Sequence, residues 1–111
     1  MKVMLVFPPT TVYGDDPSVP PVVQPLGLAY LGAYLEQEGH EVNILDGRGA
    51  RDDTTHTPTQ TRFGVSDNEI LRRVKNFAPD GLGISNMFTA YSGDPHLITK
   101  IIKEQNPKLP I

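Results

Sequence analysis

Two hydroxyl residues, Ser85 and Thr89, stand four positions apart just after a short apolar run, Leu82-Gly83-Ile84. A hydroxyl at a strand end can bond a buried heterocycle or a phosphate, or turn back onto its own backbone. Asp46 ends another apolar run and stands where dinucleotide-binding folds keep a ribose-binding acid. That chemistry also needs a Gly-x-Gly-x-x-Gly or a P-loop after the first strand. Pro8 and Pro9 stand there instead and remove backbone donors, so this turn makes no N–H nest for phosphate. Asp46 then reads equally well as a capped strand end or a turn residue. The histidines, His40, His56 and His96, show no metal-ligand spacing, and no nucleophile-elbow sequence accompanies them.

Composition narrows the field. The 111 residues contain no cysteine, which excludes a thiolate nucleophile, Cys-ligated zinc and an iron–sulfur cluster within this chain. The formal net charge is −3, and Lys100, Lys103 and Lys108 are interleaved with Glu104 and apolar residues. No basic stripe for nucleic acid results. No apolar run approaches the roughly 20 residues of a membrane span. The opening MKVMLVFPP is too short in its apolar part for a secretory signal, so a cytoplasmic location is expected.

The elements that must position these residues follow from periodicity. Residues 2–7 are continuously apolar from Val3, as in a strand buried on both faces. Residues 10–24 read as a long loop. Pro25 suits a first helical turn, and Leu28, Leu31 and Leu35 recur at helical spacing until Gly39 supplies a left-handed cap. A second strand spans 41–45. A second long polar loop covers 47–65. Ser66 and Glu69 form a Ser-x-x-Glu capping box ahead of Ile70, Leu71, Val74 and Phe77. A third strand covers 81–85, and 86–93 is a loop. Asp94 is expected to cap a third helix with Pro95 at its first position and Leu97, Ile98, Ile101 and Ile102 on its buried face. Residues 108–111 look like the opening of a fourth strand.

Strands alternating with helices imply right-handed crossovers and a parallel sheet. The expected class is α/β: a doubly wound, flavodoxin-like or Rossmann-like three-layer sandwich, truncated after about three and a half βα units. Ligands of such sheets bind outside the strands' carboxyl ends, at the switch point in strand order. The loops there are 8–24, 46–65 and 86–93; two are far longer than connection needs. The unfinished sheet edge leaves self-association open.

The stretch PLGLAYLGAYLEQEGHEVNILD, preceded by VMLVFPP, resembles the opening of the B12-binding domains that precede radical S-adenosylmethionine domains, and so does PDGLGISNMFT. The Leu-x-x-x-Gly-His-Glu-Val part is shared with glycosyltransferases. Cobalamin domains of the methionine-synthase type carry Ser-x-Leu and a threonine after the third strand; Ser85 to Thr89 is similar, with Met87 where leucine is usual. By that resemblance Ser85 and Thr89 line the slot for the cofactor's nucleotide tail, with walls from Leu82 and Ile84. Asn86 and Met87 lie in the same loop. Pro8, Pro9, Asp46 and Gly47, at the other two strand ends, complete the expected cofactor edge. The Asp-x-His-x-x-Gly pattern that supplies a lower cobalt ligand is absent after the first strand.

The resemblance implies a corrinoid-binding module, not a catalyst by itself. It would belong to a larger chain whose radical domain uses S-adenosylmethionine and a 4Fe–4S cluster for methyl transfer or radical rearrangement. The other readings are a domain of the same fold without cofactor, acting as an interaction or substrate-recruiting surface, and the N-terminal half of a two-domain glycosyltransferase.

Overall fold

The computed structural model describes residues 1–14, 23–49 and 54–111. Along the chain run β1 (Lys2–Phe7), β2 (Thr10–Tyr13), α1 (Leu26–Gln37), β3 (Glu41–Asp46), β4 (Thr55–His56), β5 (Gln60–Phe63), α2 (Asp67–Phe77), β6 (Gly81–Ile84) and α3 (Gly93–Gln105), with one 3-10 turn, Thr89–Tyr91, ahead of α3.

The main sheet is parallel, in the order β3-β1-β6. Leu5 lies opposite Ile44 on one side and Gly83 on the other. The chain passes from β1 to β3 and then back across to β6, so the switch point falls between β1 and β6. This is the doubly wound, flavodoxin-like order expected from the sequence. β1 is central, and Met4, Leu5 and Val6 are all buried, which explains its unbroken apolar run. Residues 108–111 form no strand, but Pro110 O accepts a 2.9 Å bond from Leu82 N. The tail thus lies along the outer edge of β6, with Leu109 buried.

One face of the sheet carries the core. Met4, Val6, Leu45 and Leu82 pack with Ile70 and Val74 of α2 and Ile98 and Ile102 of α3. Ser66 caps α2 by accepting from Glu69 N at 3.2 Å. The return bond of a capping box is replaced: the Glu69 carboxylate turns to Arg72 and Arg73. The opposite face meets α1. There Gly32 is buried, and a Cβ on it would lie 3.3 Å from Ile44 Cδ1; absence of a side chain lets the helix approach closely.

Four expectations are corrected. The two segments read as loops carry strands: β2, β5 and β4 form a second, antiparallel sheet, pairing Thr10 with Phe63 and His56 with Thr61. Of those segments, 15–22 and 50–53 lie outside the described residues. Asp94 does not cap α3: the helix begins at Gly93 after Ser92, and the Asp94 carboxylate accepts from Thr11. Pro95 is therefore its third residue, still within the turn where a missing N–H costs nothing. Leu31 and Leu97 are exposed, not part of the buried stripes; the contact line of α1 runs through Gly32. Finally, Leu82 packs into the core and Ile84 against it on the α2–α3 side, and neither lines an opening at the strand ends.

Candidate functional site

The carboxyl ends of β1 and β6 meet at the switch point, and two clefts open there. Phe7, Ser85 and Met87 line both and form the ridge between them. The cleft on the α1 side has a volume of about 360 Å³ and is closed by Val23, Gln24 and the first turn of α1. Ligand pockets run from about 300 to 1,000 Å³, so this one would take a small heterocycle. The cleft on the α3 side is narrower, about 50 Å³, between Pro8, Pro9 and Thr10 on one wall and Asn86, Phe88, Tyr91 and Pro95 on the other.

Local chemistry explains this geometry. Pro8 and Pro9 stop β1 from pairing further. Ser85 continues the ladder for one more bond, its N–H donating to Val6 O at 2.9 Å; the side chain is half-buried at the mouth. Beyond it the chain leaves the sheet, and Met87 and Phe88 are 71% and 62% exposed. Phe88 meets Tyr91 edge-to-face at 6.3 Å. With Val23 and Leu26, also exposed, these side chains surround the mouth with apolar surface, a clustering that marks a binding face.

The structure brings Pro8, Pro9, Ser85, Asn86 and Met87 together around the clefts. Thr89 lies at the start of the 3-10 turn, exposed, and lines neither cleft. The Asp46 carboxylate accepts from Arg48 N at 3.0 Å and Gly49 N at 3.1 Å, the local turn that its sequence position also allows. Gly47 is buried, its N–H donating to Phe7 O at 2.7 Å, so it joins the ends of β1 and β3. Arg48 is a site residue that sequence reasoning missed. It lines the narrower cleft, with its guanidinium 5.9 Å from the Phe7 ring centroid. The signal available was an arginine two residues past a strand's carboxyl end.

No histidine joins this group. His56 Nδ1 pairs with Thr61 Oγ1 at 2.7 Å on the antiparallel sheet, and neither His40 nor His96 lines either cleft. Among the described residues no cluster of His, Asp and Glu could hold a metal ion. A larger void, about 620 Å³, lies between α2 and α3. It is a helix–helix groove away from the strand ends, and its Arg72 is already bound to Glu69.

A doubly wound sheet with an apolar, hydroxyl-bearing mouth at its switch point defines a cofactor-binding α/β domain. A family model for the B12 binding domain matches residues 17–111, and the chain belongs to that family. It is also 34% identical, over 111 residues, to cytidylyl-2-hydroxyethylphosphonate methyltransferase of Streptomyces wedmorensis. That alignment covers 96% of this chain and 20% of the relative, so the chain spans about a fifth of the relative's length. No solved structure matches. Among the described residues no helix is long and apolar enough to cross a membrane.

Proposed function

We propose that this chain binds cobalamin at the carboxyl edge of β1 and β6, with the nucleotide tail in the cleft on the α1 side and the corrin ring on the apolar rim above it. The observation that carries this reading is Ser85: a half-buried hydroxyl on the ridge between two clefts, beneath exposed Met87 and Phe88. The fit is chemical. The tail's heterocycle needs apolar walls and one or two polar partners, which Phe7, Leu26, Gln24 and Ser85 provide. The ring needs a broad apolar platform, which the rim provides. With no histidine in the loop after the first strand, that loop would offer the cobalt no imidazole.

Bound cobalamin would supply the cobalt centre for methyl transfer or radical rearrangement in a larger protein. This chain's own residues bind and orient it. The reading extends to a parent with a radical S-adenosylmethionine domain and a 4Fe–4S cluster, whose cysteines would lie outside these 111 residues. A relative named as a methyltransferase favours methyl transfer over rearrangement. The reading places the chain in the cytoplasm, and self-association through the β6 edge would have to displace Pro110 from Leu82.

The test is retention. Protein mixed with hydroxocobalamin, desalted and scanned in the visible should keep corrin absorbance at about one equivalent. A colourless protein overturns the cofactor assignment and favours the interaction-surface reading.

A further inference from the structure

A buried carboxylate outside the clefts is bound twice by one residue. Asp94, 6% exposed, accepts from Thr11 N at 2.8 Å through one oxygen and from Thr11 Oγ1 at 2.7 Å through the other. Asp94 lies in the first turn of α3, where free N–H groups favour an anion. Thr11 belongs to β2, 83 positions away. Its neighbour Thr10 and Asp94's neighbour Pro95 face each other across the narrower cleft. The Tyr13 hydroxyl also lies close to Gly93, 3.8 Å from where a Cβ on that residue would stand.

We infer that Asp94 and Thr11 are positioning residues that set the gap between the Pro8–Thr10 wall and the Phe88–Tyr91 wall, and so hold Phe88 in the apolar rim on which the corrin ring would rest. The inference rests on the cobalamin reading above for its ligand, but not for its geometry. Two charge-assisted bonds from a single residue fix distance and angle together. The 3-10 turn, preceded by exposed Phe88 and ending in exposed Tyr91, has two backbone bonds of its own, Tyr91 N to Phe88 O at 3.1 Å and Ser92 N to Thr89 O at 3.2 Å. A rim held in place before binding spares the ligand the cost of ordering it.

Hydroxocobalamin titrations of the full chain test this with three variants. Thr11→Val deletes the hydroxyl bond, Thr11→Ser keeps it, and Ile102→Val is a core destabiliser remote from the strand ends. Thr11→Val should weaken binding about tenfold, Thr11→Ser should stay within about twofold, and Ile102→Val should bind as wild type. Wild-type affinity in Thr11→Val, or an equal loss in Ile102→Val, overturns the inference. If wild type itself binds no hydroxocobalamin, the cofactor reading fails alone, and amide hydrogen exchange of the free proteins decides. Faster exchange across residues 86–92 in Thr11→Val than in Ile102→Val supports the positioning role; equal exchange overturns it.

Discussion

Gly64 and Gly47 pack backbone on backbone: the Gly47 carbonyl occupies the place where a Cβ on Gly64 would stand. Gly64 has φ +122, and the next residue, Val65, donates its N–H to the same carbonyl at 2.8 Å. A Cβ on Gly47 would in turn lie 2.6 Å from Phe7 O. The end of the antiparallel sheet is thereby clamped onto the ends of β3 and β1. Arg62 of β5 reinforces the clamp, its guanidinium 2.6 Å from the Asp67 carboxylate in the first turn of α2.

Gly64→Ala is therefore expected to cost about 2–4 kcal/mol, the sum of positive-φ strain and forced separation of two backbones. Urea unfolding would measure it. A cost below about 1 kcal/mol would show that the crossing yields easily.

Ser85 separates the two clefts, so its size should matter more than its hydroxyl. Ser85→Ala removes one hydrogen bond and should weaken hydroxocobalamin binding about three- to tenfold. Ser85→Tyr puts a ring into the mouth and should abolish retention, while far-UV circular dichroism stays unchanged because the side chain projects outside the core. Equal cobalt content in the tyrosine variant and wild type would remove Ser85 from the site.

Acid should loosen α2 in a defined window. Glu69 is held down to about 2, first by its hydrogen bonds to Arg72 and then by those to Arg73. A carboxylate lowered on folding stabilises the native state above its ordinary value of 4.5 and loses that contribution as pH falls toward 2. The pair is surface-exposed, so the effect is small. The thermal midpoint of wild type should exceed that of Glu69→Gln at pH 6, and the difference should vanish near pH 2. A difference that persists unchanged at pH 2 would rule out the ion pairs as its source.

The order of strands and helices was legible in the sequence because each element announces itself locally. The apolar run at Val3–Phe7, the Ser66 cap and the left-handed Gly39 (φ +90) all appear where sequence reasoning placed them. Its failures share a cause. Thr10–Tyr13 and Gln60–Phe63 are short and hold three threonines between them, and the buried residues of the first, Thr10 and Thr11, are adjacent and polar, so neither strand shows an apolar two-residue period. They become strands only by pairing with each other across 50 positions of chain. Leu31 and Leu97 fit helical stripes, yet periodicity ranks neighbours on a helix without saying which of them meets the sheet.

By itself the sequence determined a parallel α/β sheet, the apolar run of its central strand and the buried stripe of α2, because period, caps and prolines act within a few residues. The tertiary structure alone decided that Thr11 and Asp94, 83 positions apart, would clasp, that Arg48 would join the clefts, and that Gly47 would sit buried beneath them. Those outcomes depend on which strand ends converge, and convergence is a property of the packed chain.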